Sequence, residues 1–173
     1  MSLQPVVNII SQSGKSHDVI VFADRRTTKY IECPQDVLLL GVTDYRNGER
    51  TVEQAIKWSD WTAWGIARLR DGTVTVDKTE LKDATYFTTV TYPDGQFTAK
   101  RIEFSNRVEI GVAVTPDCRT IEKVIYADGG GSARQVRQYA DHTEIEEVVD
   151  SSGHSMTGVV MRDGKWTNEE QKV

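Results

Sequence analysis

The chain has few cysteines, few histidines and no long apolar run. Its two cysteines, Cys33 and Cys118, are too few for a disulfide framework, and neither stands in a CxxC or Cys/His spacing that structural zinc requires, so free thiols are expected. The three histidines, His17, His142 and His154, all lie further than four residues from another His or Cys, which argues against a local metal site and any metal cofactor. The longest strongly apolar run covers residues 37–40, far short of the ~20 residues of a membrane helix. The opening Met1-Ser2-Leu3-Gln4-Pro5 has no basic region and no apolar segment after it, so it does not read as a secretory signal. The expectation is a chain made and kept inside a cell.

Clustered positive charge is also missing. Net charge is -5 with a pI near 5.3, and the densest basic stretches, Arg25-Arg26 and Arg68-Leu69-Arg70, hold two charges each. Neither nucleic acid nor an anionic membrane surface is an expected partner, because both need concentrated Lys and Arg.

What remains is the composition of a folded globular protein, with 38% hydrophobic and 27% charged residues, read as a single β-rich domain over 1–173. Turn dipeptides recur through it: Asn47-Gly48, Asp71-Gly72, Asp94-Gly95, Asp128-Gly129 and Asp163-Gly164. As a two-residue loop, Asp71-Gly72 sets Arg70 opposite Thr73, Leu69 opposite Val74 and Ala67 opposite Val76. Tyr92-Pro93-Asp94-Gly95 has type I turn chemistry and joins residues 86–91 to 96–104. Val108, Ile110, Val112 and Val114 alternate with Glu109, Gly111 and Ala113, predicting a strand that pairs with 120–126. A last hairpin turns at Asp163-Gly164 and faces Met161 with Trp166. Residues 6–10, 18–23, 28–32 and 37–42 have strand composition, and the unbroken apolar 37–40 predicts a central strand. A capping box at Thr51-Val52-Glu53-Gln54 predicts a short helix over 52–61, and 133–140 is a second helix candidate or an edge strand. The fold expected is an antiparallel, hairpin-rich sandwich or irregular barrel with one or two short helices. No exact internal repeat is read, since shared turn physics accounts for the likeness of 67–76 and 159–167.

Three of the four tryptophans, Trp58, Trp61 and Trp64, fall within seven positions. Aligned indoles can seat a glycan or a peptide, while the plainer expectation is that they pack into the core. Gly129, Gly130, Gly131 and Ser132 form a second candidate, an anion cradle of backbone N–H groups, against which stands the simpler use of glycine in turns. Residues 11–16 end like a phosphate loop but have Ile9 where its first glycine belongs and strand composition afterwards, which argues against an NTPase. His142 beside Asp141, and His154 near Ser151 and Ser152, have residue types used by hydrolases without a Gly-x-Ser-x-Gly frame. The acidic segment 144–150 reads as a solvated edge element whose charge discourages stray strand pairing. No catalytic residue is assigned. The expectation is a non-catalytic structural or interaction protein, a subunit of a homo-oligomer or larger assembly such as a bacteriophage head or tail. A tryptophan-based glycan or peptide module and a hydrolase with a spatially assembled His/carboxylate site are the alternatives.

Overall fold

The computed structural model describes the backbone of residues 6–12, 15–21, 25–33, 37–45, 50–53, 56–57 and 61–168, with side chains at Thr43, Tyr45 and 61–167. The chain divides into two compact units, Met1–Lys82 and Asp83–Val173. The first holds β1 (Val6–Gln12), β2 (Lys15–Val21), β3 (Arg25–Cys33), β4 (Val37–Tyr45), β5 (Arg50–Glu53), β6 (Ile56–Lys57), β7 (Trp61–Leu69) and β8 (Val74–Leu81). Its strands pair antiparallel in chain order, with β5 and β6 together filling one place between β4 and β7. The second unit holds β9 (Ala84–Thr91), β10 (Phe97–Phe104), β11 (Arg107–Val114), β12 (Arg119–Tyr126), β13 (Ser132–Gln138), β14 (Thr143–Val149), β15 (Ser155–Arg162) and β16 (Lys165–Asn168). Each of these pairs antiparallel with the next.

The antiparallel hairpin architecture is therefore as expected, including four strands in the first fifty residues and β4 with neighbours on both sides. Each unit is an open row in chain order, and no pairing among the described residues closes it into a barrel. Among the described residues neither expected helix is present. Residues 50–53 and 56–57 are strand, because β4 and β7 on either side offer the backbone of Thr51, Val52 and Ile56 ladder partners that outweigh a weak local cap. The second helix candidate is β13, bonded to β12 and β14. Among the described residues the single helical turn is a 3-10 turn at Ala127–Gly129. The acidic segment forms β14, an interior strand rather than an edge, where Arg134 bonds Glu146 (2.8 Å) and Glu147 (3.3 Å) from the neighbouring strand.

One backbone feature recurs. Gly65, Thr88, Gly111, Gln135 and Gly158 lie in mid-strand with φ between 47° and 63°, one in every second strand and 23 or 24 residues apart. The ladders beside them each skip a rung at that residue, so 88, 111, 135 and 158 fall on one line across the second unit with 100, 122 and 146 between them. A left-handed residue bends a strand and resets its alternation. Buried positions accordingly come three apart instead of two: Ala63 and Ile66, Ala99 and Ile102, Glu109 and Val112, Ile121 and Val124, Ala133 and Val136. Gly65 and Gly111 are further constrained, because a Cβ there would land on the carboxylates of Asp77 and Glu122 opposite.

Within the second unit the crease turns the two ends of each hairpin toward one another. Tyr86 pairs with Ile102, five residues along the strand from Phe97, a separation of about 16 Å in a flat sheet. Their rings nevertheless meet edge to face with centroids 6.2 Å apart. The core lies inside this fold, built of Ala99, Ile102, Val112, Ile121, Val124, Val136, Ile145 and Val159. Ile102 and Ile121 are its largest fully buried side chains, each contributing roughly 1.5–3 kcal/mol by leaving water.

Hairpin tips follow their chemistry, with one correction. Asp163 (φ 49°) and Gly164 (φ 71°) are both left-handed, giving the two-residue loop that sets Met161 opposite Trp166. At Asp71-Gly72 only the glycine is left-handed, and the Leu69 N–H bonds the Thr73 carbonyl (2.8 Å), so the loop has three residues. Arg68 then faces Val74 and Ala67 faces Thr75, one residue off the two-residue register. The Asp71 carboxylate accepting from the Thr73 N–H (2.8 Å) favours this turn, and that bond holds its pKa below the ordinary value. Asn47-Gly48 lies outside the described residues.

Candidate functional site

The crease leaves an open groove of about 300 Å³ in the second unit. Its floor is Ile121, Val124, Val136 and Ile145, and its lining comes from both ends of the strands: Asn106, Arg107 and Tyr126 on one side, Gln138, Thr143, Met161 and Trp166 on the other. At one end sits Glu109, only 2% exposed. Its Oε1 accepts from Arg107 Nε (2.9 Å) and its Oε2 from Arg119, which also donates to Gln138 Oε1 (3.1 Å). Arg107 lies 4.0 Å from the Phe104 ring centroid and donates to Asn106 (3.0 Å). A buried carboxylate needs partners, and two guanidiniums supply them. The side chains of Arg107 and Arg119 remain 32% and 27% exposed, so the face offered to solvent is cationic.

The alternation of Val108 to Val114 placed Glu109 on the polar face of its strand. The structure buries it beside Val112, because Gly111 resets the alternation between them. The signal available was that glycine, since an isolated glycine in a strand pattern marks a bulge or a close approach.

The two described tryptophans of the cluster, Trp61 and Trp64, have different surroundings. Trp61 packs against Ala63 and Ile66, whereas Trp64, three residues on, is 46% exposed. Trp58 lies outside the described residues. The glycine segment serves the β12–β13 connection: the Gly130 N–H bonds the Ala127 carbonyl (3.0 Å), the Tyr126 N–H bonds the Gly131 carbonyl (3.0 Å), and Ser132 starts β13. Gly131 (φ 99°) passes so close to the Val149 carbonyl that a Cβ there would collide with it.

The residues of the hydrolase alternative meet in turns. Ser152 Oγ donates to Asp150 Oδ1 (2.7 Å) and lies 2.7 Å from His154 Nδ1, while Asp150 Oδ2 is 3.7 Å from that same nitrogen. A serine relay instead places the carboxylate on the ring nitrogen remote from the hydroxyl. Asp150 also accepts from the N–H groups of Ser152 (2.9 Å) and His154 (3.0 Å), and these bonds, the Ser152 hydroxyl first, lower its pKa. At the β13–β14 tip His142 is held between Asp141 (2.7 Å) and Glu144 (3.1 Å) and stacks on Tyr139 with centroids 4.6 Å apart. The bond to Asp141, then that to Glu144, raises the His142 pKa. Among the described residues no cluster of His, Cys, Asp and Glu has the geometry to hold a metal ion. Cys118 is a free thiol, and Cys33 has no described side chain.

No family model, curated protein or solved structure matches this chain.

Proposed function

We propose that this chain is a non-catalytic structural and interaction protein that assembles with copies of itself, as a bacteriophage head or tail component does, after synthesis in the cytoplasm. The observation that carries this reading is the last strand of the second unit. Among the described residues β16 pairs on one side only, with β15, and Trp166 on it is 54% exposed. An unpaired strand edge is a template for another strand, and a large exposed indole beside it is the residue type that anchors protein contacts. The layout of the second unit supports the same reading, since among the described residues an open row of strands that is not closed into a barrel leaves an unpaired edge at its end. No helix among the described residues is long and apolar enough to cross a membrane.

Native mass by light scattering over a range of concentrations tests the proposal against the 19.4 kDa of one chain. The expected result is a defined oligomer or a polymer, driven toward monomer by Trp166→Ser. A strict monomer at every concentration overturns self-assembly.

A further inference from the structure

The groove marks a position where the hairpin array omits side-chain bulk that it places elsewhere. Between β9 and β10 the facing ends of the crease are closed by Tyr86 and Phe97. The residues at the same distances from the crease are Glu109 and Arg119 in β11 and β12, which close it by an ion pair. In β13 and β14 they are Ala133, a small buried core residue, and Thr143, which lines the groove where the space stays open. Its volume of about 300 Å³ is that of roughly ten waters at ~30 Å³ each, at the small end of ligand pockets. The floor is aliphatic, Met161 and Trp166 form an apolar wall, and the far end presents Arg107 while the Glu109 carboxylate is buried behind it. Two guanidiniums against one carboxylate leave this cluster with one net positive charge.

From this we infer that the groove is a binding site for a small organic anion, an apolar and preferably aromatic body with a single carboxylate or sulfonate. The body occupies the space left by Ala133 and Thr143, stacked toward Trp166, and the acid group faces Arg107. This assignment shares Trp166 with the self-assembly reading but rests on the groove and Arg107, so the Arg107 and Ala133/Thr143 variants test it separately from the oligomeric state.

The test titrates the full chain at neutral pH with 8-anilinonaphthalene-1-sulfonate and with its uncharged analogue N-phenyl-1-naphthylamine, following fluorescence. The expected result is one saturable site for the anion, at least ten-fold tighter than for the neutral compound. Ala133→Tyr with Thr143→Phe copies the β9–β10 filling into the groove and should weaken the anion at least ten-fold while the cooperative urea transition is retained. Arg107→Gln provides a second reading if the double variant does not fold, and should weaken the anion ten-fold with the neutral compound unchanged. Absence of a saturable site, equal affinity for the two compounds, or undiminished anion binding in the folded variants overturns the assignment.

Discussion

At the residue scale, the positions that define this molecule are the left-handed ones in mid-strand. Thr88 (φ 47°) is a β-branched residue in a region that glycine occupies without penalty. Thr88→Gly should therefore raise stability by about 1 kcal/mol, whereas Gly111→Ala should lower it by at least about 1–2 kcal/mol, since its Cβ also meets Glu122. Urea unfolding of the two variants checks both signs. These sites were only partly legible. Gly65, Gly111 and Gly158 are visible in the sequence as glycines inside strand patterns, but nothing marks Thr88 or Gln135, whose conformation is imposed by the strands on either side. The burial of Glu109 was legible only through Gly111, because its face depends on the backbone two residues later.

His142 has a pH dependence of definite sign. Its folded pKa is raised above the ordinary 6.5 by the carboxylates of Asp141 and Glu144, with desolvation and then Arg162 opposing. The contribution of the protonated ring to the β13–β14 tip is thus complete below that ordinary value and is lost as pH rises through the folded value. A titration of the imidazole C–H resonances should show an elevated midpoint that falls toward 6.5 in Asp141→Asn. An unchanged midpoint in that variant would remove Asp141 as the cause.

At the element scale, hairpins were the most legible objects and their neighbours the least. The Pro93-Asp94-Gly95 turn and the Asp163-Gly164 tip declare themselves because φ preferences of Pro, Asp and Gly act locally. The register at Asp71-Gly72 does not, since the same dipeptide serves two loops that differ by one residue, and the Asp71 bond to Thr73 selects the longer one. The acidic β14 resembles an edge strand in composition, yet it lies between β13 and β15 with Ile145 buried. Its charges are met by Arg134 from β13, a cross-strand pairing that no local pattern predicts. Amide exchange should find β14 as protected as β12, and Ile145→Ala should cost about 2–5 kcal/mol. Fast exchange along β14 would return it to an edge.

At the scale of the whole molecule, the chain repeats one device. A left-handed residue recurs every 23 or 24 positions from Gly65 to Gly158, and an Asp stands six residues after each of the first four, at Asp71, Asp94, Asp117 and Asp141. In the sequence Gly41 stands 24 residues before Gly65, with Asn47 six after it. No exact repeat was read because the repeat lies in backbone conformation and turn spacing, while the side chains filling the crease change from Tyr86 and Phe97 to Glu109 and Arg119 to Ala133 and Thr143. Those changes also make one hairpin ionic and leave the next one open, so the groove follows from variation within a regular array.

The crease is the central claim, and the coupling between Glu109 and Arg119 tests it most directly. In a flat sheet these residues stand about 16 Å apart along the strands, since Glu109 pairs with Val124, five residues from Arg119. A double-mutant cycle of Glu109→Ala and Arg119→Ala, read by urea unfolding, should give a coupling of about 1–3 kcal/mol. A coupling of about 0.3 kcal/mol or less, the level of independent sites, would contradict the folded-over sheet and with it the groove.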